Sequence, residues 1–324
     1  MTQFKNICSI LMLLACFATS ACASQSLDIK PVKIEVFSDT NVFAMDESGK
    51  YQIGQIGGKW SGVQDIQKLG LSLLDVTVAT NDGMYLIGSE AHHDADKDIY
   101  YTGLIVLIDA GNKKVKEWRH ETGFLKAAQY NDNITLTSFD GVYTLAASSD
   151  IKLVKDNDKR DALQPLYDNA GGVILCRPGS PAKIAALNGV AGCDKAGGWA
   201  FAGVWYPSND DYTSEPVICG AWLIEPVQTK YKKPISEIIV RDLKSGDVVT
   251  KKKIADSHHV FCKNNSEILI DADMQSFTLP VMNPGDEYSC NNAEAIISLK
   301  KYNKESACLT SGGYLGVLKK KNSR

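Results

Sequence analysis

The sequence predicts an all-β protein, a β-propeller of six or seven blades. Three observations lead there: short apolar runs bounded by turn residues, a scarcity of helical periodicity, and a strand–turn–strand unit that recurs at blade-like intervals.

The runs come first. Leu73 to Val78, Ile134 to Thr137, Ile235 to Arg241 and Glu267 to Asp271 are short, apolar-rich and bounded by Gly, Asn, Asp or Pro. That is the pattern of strands joined by tight turns. Helical spacing is confined to one segment, Gln64 to Leu74, where a single short helix is expected.

The recurring unit is an apolar strand, an Asp/Gly turn and a second strand opening on an aromatic. Val76 to Leu86, with Asn81-Asp82-Gly83 at its centre, echoes Ile134 to Thr144, with Asp140-Gly141 at its centre. Val42 to Gln52 is an earlier copy and Ile268 to Phe277 a degenerate one. The Gly-x-Tyr elements at Gly49, Gly83 and Gly141 are separated by 34 and 58 residues. These intervals bracket the roughly 40–50 residues of a propeller blade. The longer one holds an insertion around residues 91–101. Many short strands also suit a multi-sheet β-sandwich, the alternative architecture.

The N-terminus reads as a bacterial export signal. Lys5 precedes an apolar stretch from Ile7 to Ala18, and Ala21-Cys22-Ala23 fits small-x-small cleavage, so the mature chain is expected to begin at Ser24. The stretch is shorter than the roughly 20 residues needed to span a bilayer. A lipoprotein start at Cys16 or Cys22 is the competing reading. The domain plan is therefore a signal peptide over 1–23 and one propeller domain over 24–324, in the periplasm or lipid-anchored to the envelope.

Nine cysteines are present; Cys8, Cys16 and Cys22 fall in the signal region. Cys176, Cys193, Cys219, Cys262, Cys290 and Cys308 remain, an even set expected to form up to three disulfides in an oxidising compartment. Spacing favours Cys176 with Cys193, which would staple one hairpin; the other pairings stay open.

Charge excludes little except nucleic acid. The net charge is −3, with no basic stripe. Lys319-Lys320-Lys321 is expected to be a solvated tail.

Chemical motifs are sparse. His92-His93 and His258-His259 are adjacent pairs, and neighbours in a strand point to opposite faces. A metal site would need one histidine from each pair, with Asp94 or Asp271 beside them, and none is expected. Asp94-Ala95-Asp96-Lys97-Asp98 begins like a calcium loop, but Ile99 stands where the turn glycine belongs and Ile105 where the bidentate Glu belongs. No Gly-x-Ser-x-Gly elbow and no phosphate-cradling glycine spacing occurs. No catalytic residue, metal or cofactor is assigned.

The most informative segment is aromatic. Trp199, Trp205 and Trp222 fall with Tyr206, Tyr212 and Tyr231 in a proline-punctuated stretch. Trp199 and Trp222 read as core residues of one blade. Trp205 and Tyr206, with Asp210, Asp211 and Tyr212, read as a display loop and are the expected binding residues, because such rings anchor interfaces at little rotamer cost.

In architecture the chain resembles exported bacterial β-propeller proteins over residues 30–318, without the WD dipeptide of the best-known repeat. The resemblance implies a non-catalytic scaffold that binds another protein. An immunity protein that neutralises a secreted antibacterial effector is the favoured form. An envelope-assembly scaffold and an envelope hydrolase or lyase are the alternatives.

Overall fold

The computed structural model describes residues 27–321 outside 94–97, 131–132, 139–140, 147–148, 157–163, 169–170, 177–182, 187–188, 193–197, 202–203, 208–211, 214–216, 229–233, 243–246, 272–273 and 292–293. Between 154 and 216 the description covers strands and their pairing.

Among the described residues, seven antiparallel blade sheets follow one another along the chain. The first runs Lys33–Phe37, Asn41–Met45, Lys50–Gly54, Gln64–Asp65, and the second Leu73–Thr80, Gly83–His93, Ile99–Ile108, Lys114–His120. The third is Phe124–Tyr130, Asn133–Ser138, Gly141–Leu145, Lys152–Asp156, and the fourth Gln164–Asp168, Gly171–Cys176, Gly198–Phe201, Val204–Pro207. A hairpin, Lys183–Ala186 with Gly189–Gly192, is inserted in the fourth. The fifth starts with Tyr212–Thr213 and Val217–Cys219 on one edge of Trp222–Gln228, followed by Ile235–Asp242 and Val248–Ser257. The sixth is Val260–Asn264, Glu267–Ile270, Gln275–Thr278, Asn283–Ser289; the seventh has three strands, Ile296–Tyr302, Glu305–Thr310 and Leu315–Val317.

The first strand of each sheet lies against the first strand of the next, and Ile296–Tyr302 returns to Lys33–Phe37. The sheets are thus seven blades of a closed ring, each wedged between two others. That overturns the stacked-sandwich alternative.

This arrangement explains why the middle strands are apolar on both sides. In blade two, Met84, Leu86, Leu104, Val106 and Ile108 meet Phe43, Tyr51 and Ile53 of blade one. The alternate residues Tyr85, Ile87, Ile105 and Leu107 meet Ile134, Leu136 and Tyr143 of blade three. Successive residues of a strand point to opposite faces, so a radial blade needs an apolar residue at every position.

Ring closure uses no shared strand. Ile34, Val42 and Ala44 of blade one pack on Ala307 and Leu309 of blade seven. Lys300 Nζ lies 2.8 Å from Glu35 Oε2, and the Asn303 N–H donates to Asp39 O at 2.8 Å. The chain then turns back, and Lys319–Lys320 pairs with Tyr288 and Ser289 on blade six. Lys320 sits 2.7 Å from Asp286. The lysine side chains are exposed as expected of a solvated tail, while the backbone of Lys319–Lys320 pairs with an open strand edge.

Two further expectations change. Gln64 to Leu74 is not one helix. Gln64–Asp65 is a strand, Ile66–Leu69 a single 3-10 turn capped by Asp65, and Gly70 in the left-handed region (φ 93°) ends it before the next strand begins at Leu73. The repeat copies are also not all in phase. Those at Val42, Ile134 and Ile268 are the second and third strands of blades one, three and six, whereas Val76 to Leu86 spans the first and second strands of blade two. Second strands begin at Asn41, Gly83, Asn133, Gly171, Trp222, Glu267 and Glu305, which are 38 to 51 residues apart.

Disulfides join Cys219 to Cys262 and Cys290 to Cys308. The expected Cys176–Cys193 bridge lies outside the described residues, as does the leader. No helix among the described residues is long and apolar enough to cross a membrane.

Candidate functional site

Antiparallel radial strands divide the connections between two faces of the ring. First and second strands are separated by two or three residues in every blade. These turns share a face with the third-to-fourth connections. Connections from second to third strands, and from one blade to the next, open on the opposite face. Both large insertions, the long hairpin of blade two and the extra hairpin of blade four, are second-to-third connections on that opposite face.

The blade-two hairpin is the better described. Gly83–His93 and Ile99–Ile108 pair continuously from Met84↔Ile108 to His93↔Ile99. Their neighbours stop early: Leu73 pairs with Ser89, and His120 with Gly103. Glu90 to His93 and Ile99 to Thr102 therefore continue as a two-stranded ribbon past the four-stranded sheet. At roughly 3.3 Å per residue these four pairs project about 13 Å.

The two ribbon faces differ. On one, His92 stacks on Tyr100 with ring centroids 5.1 Å apart, and its Nε2 is 2.8 Å from Thr102 Oγ1. Glu90 Oε2 lies 3.7 Å from that ring nitrogen and accepts from Arg119 Nε at 3.1 Å. Arg119 also donates to Glu117, which accepts from Lys114. Hydrogen bonds from Lys114 and Arg119 hold the Glu117 carboxyl below the usual range. The same network anchors a ribbon that two strands alone would hold only marginally.

The other face pairs Tyr101 with Ala91 and Ile99 with His93. Ile99, Tyr100 and Tyr101 are 55%, 51% and 48% exposed. Three large side chains in a row on a projecting element are an unusual exposure for a soluble surface. Their signal was present in Ile99-Tyr100-Tyr101 beside the insertion, but the sequence reading stopped at the polar run before them.

The residues expected to bind are placed differently from the display loop predicted for them. Trp205 and Tyr206 belong to the outermost strand of blade four, opposite Ala200 and Trp199. A long-looped reading fails here because Val204–Pro207 pairs with Gly198–Phe201 as a hairpin. Tyr212 opens blade five opposite Gln228, while Asp210 and Asp211 lie outside the described residues. Pro207 ends the last strand of blade four and Tyr212 opens the first strand of blade five, so both of these strand ends lie toward the ribbon-bearing face. Trp222 packs against the core between blades five and six, but Trp199 lies on the third strand of blade four, so the two do not share one blade as expected.

The histidine pairs sit in blade two and between blades five and six, in non-adjacent sectors. Asp271 accepts from the Ser257 hydroxyl and from the His258 N–H at 3.0 Å, a turn-stabilising role. Among the described residues no three His, Cys, Asp or Glu side chains cluster as metal ligands.

No known protein family matches the chain, and no curated protein sequence does. Solved structures do. The Pan2 WD40 domain of Neurospora crassa aligns with a TM-score of 0.57 at 10% identity, over 91% of this chain and 90% of that one. The WD40 β-propeller domain of Doa1 aligns with a TM-score of 0.50 at 12% identity, over 92% and 96%. The chain has the β-propeller fold. BBS1N, solved in complex with ARL6DN, is similar at a TM-score of 0.53 and 11% identity, over 93% of this propeller and 95% of that chain. At such identities the likeness is one of fold, and function rests on the site.

Proposed function

We propose that this chain is an exported, non-catalytic propeller that binds another protein through its insertion-bearing face. The observation that carries the reading is the blade-two ribbon, which holds Ile99, Tyr100 and Tyr101 in solvent on a braced support. Aromatic anchors on a rigid element bind at low conformational cost, and the outer edges of the ribbon offer backbone groups to an added strand. Trp205, Tyr206 and Tyr212, with Asp210 and Asp211 between them in the sequence, belong to the same proposed contact. BBS1N, a propeller captured with ARL6DN, is a precedent for protein recognition on this fold.

Export with cleavage after Ala23 fits the disulfides, which persist in oxidising compartments. The partner is then a protein of the periplasm, and the finer proposal is a secreted antibacterial effector that this chain neutralises.

The test is a competition assay between strains. Cells lacking the chain should be killed by an effector-delivering competitor, and the wild-type chain should protect them. A Tyr100→Ser/Tyr101→Ser variant should reach the periplasm and fold, yet protect poorly. Full protection by that variant would remove the ribbon from the contact, and no protection by wild type would remove the effector.

A further inference from the structure

We propose that the seam between blades six and seven is a binding site for a small organic anion bearing a phosphate or a carboxylate. It opens on the face of short turns, opposite the ribbon, and stands apart from the protein-binding reading.

A cavity of about 690 Å³ lies there between the turn Asn264–Ser266 of blade six and the turn Asn303–Lys304 of blade seven. That is within the roughly 300–1,000 Å³ of small-molecule sites. Its origin is a change of chemistry along the seam. Toward the insertion-bearing face, Phe261, Leu269, Leu299 and Leu318 fill the space around the Cys290–Cys308 disulfide. Two residues further along the same strands, Lys263 follows Phe261 and Lys301 follows Leu299, so both lysines face the same seam. Lysine ends cannot close it as the apolar residues do.

The charges there are not balanced internally. Lys263 is satisfied: its Nζ lies 2.8 Å from Glu267 Oε2 and donates to Tyr288 Oη at 2.6 Å. Lys300, one residue before Lys301, points into the opposite seam and pairs with Glu35 at 2.8 Å. Lys301 and Lys304 both line the cavity, and among the described residues neither has a carboxylate partner. Among the described lining residues Glu305 is the one carboxylate set against them. Two exposed lysines of blade seven lining one cavity, with Asn265 and Asn303 among the other lining residues, suit an oxyanion carried on a polar small molecule. A concave seam of this size favours a small ligand over a protein surface.

The test is titration calorimetry of the whole mature protein at low ionic strength with glucose 6-phosphate, glucuronate and inorganic phosphate. Saturable binding of one organic anion per chain is expected, with glucose 6-phosphate alone assigning a phosphoryl group and glucuronate alone a carboxylate. Lys301→Gln with Lys304→Gln should weaken it about tenfold or more at unchanged melting temperature, while Lys300→Gln should leave it intact. The proposal is overturned if neither organic anion binds saturably at millimolar concentration, if the double variant binds equally, or if inorganic phosphate binds as tightly as either.

Discussion

Cys219 and Cys262 lie on the first strands of adjacent blades, and their disulfide crosses the seam between blades five and six. Cys290, just after the last strand of blade six, is joined likewise to Cys308 in the second strand of blade seven. Both bonds therefore stitch blade to blade, on the side of the ring that closes without a shared strand. They span 43 and 18 residues, and constraining loops of that length in the unfolded chain stabilises by about 3–4 kcal/mol each. Replacing either pair with serine should lower the melting temperature by about 4–10 °C. Calorimetry with and without reductant checks this, and a reductant-insensitive melt would contradict it.

The remaining pair should be Cys176 with Cys193. Cys176 ends the second strand of blade four, and Cys193 directly follows Gly192 at the end of the inserted hairpin. A bridge there would close the base of the insertion. Peptide mapping of unreduced protein should recover the linked pair, and thiol titration of the unfolded mature chain should find almost none free. Four or more free thiols would mean the even count is accidental.

Alkali should destabilise the propeller. Burial pushes the Tyr51 phenol up to about 12, with Asp65 adding to the shift, and Tyr85 likewise with Asp82. Unfolded phenols ionise near 10, so the folded state holds these protons longer and its stability falls as pH rises from about 10 to 12. Lys263 works in the same direction: burial opposes its charge, but the bonds to Glu267 and Tyr288 outweigh it and raise its pKa. Its contribution is complete below the unfolded lysine value and is lost as pH climbs through the raised one. Absorbance titration should show Tyr51 and Tyr85 among the late-ionising tyrosines, with one late phenol fewer in Tyr51→Phe and one fewer in Tyr85→Phe.

Much of the fold was legible because strands announce themselves locally. Leu73–Thr80, Asn133–Ser138, Ile235–Asp242 and Glu267–Ile270 each contain or nearly match a run read from the sequence. The repeat was visible too, but its phase was not, since Asn81-Asp82-Gly83 stands between a first strand and a second while the similar Asp140-Gly141 stands in sequence between a second and a third. The disulfides were illegible for a different reason. They link blades across seams, and which faces meet is set by ring closure rather than by spacing. The polar cavity shares that origin: Lys300 and Lys301 are indistinguishable in sequence and diverge only because alternate residues enter different seams.

Glu225 is a further element that only the packed blade reveals. It is fully buried on the second strand of blade five, and Arg241 Nε donates to its Oε2 at 2.9 Å. Removing one member of a buried pair leaves the other charged and desolvated. Glu225→Ala should therefore cost about 3–5 kcal/mol, and Glu225→Met with Arg241→Met should recover much of the loss. Guanidinium unfolding of the three proteins reads the difference, and a double variant no better than the single would argue against the pair as the cause.

The ribbon and the blade-four edge can be told apart by substitution. Tyr101 sits on the ribbon face opposite the His92–Glu90–Arg119 network, so Tyr101→Ala removes exposed surface and no support. If it anchors the partner, binding should weaken about thirtyfold, the usual loss of about 2 kcal/mol for a central aromatic, at an unchanged melting temperature. Tyr100→Ala removes the ring stacked on His92, and should lower the melting temperature slightly as well. Arg119→Ala should leave Tyr101 in place but loosen the ribbon, weakening binding mainly through faster dissociation. Trp205→Ala with Tyr206→Ala should weaken binding further if the blade-four edge shares the contact. A large fall in melting temperature in that double variant would instead make those rings part of the blade. Binding unchanged in all four proteins would place the partner on another surface of the propeller.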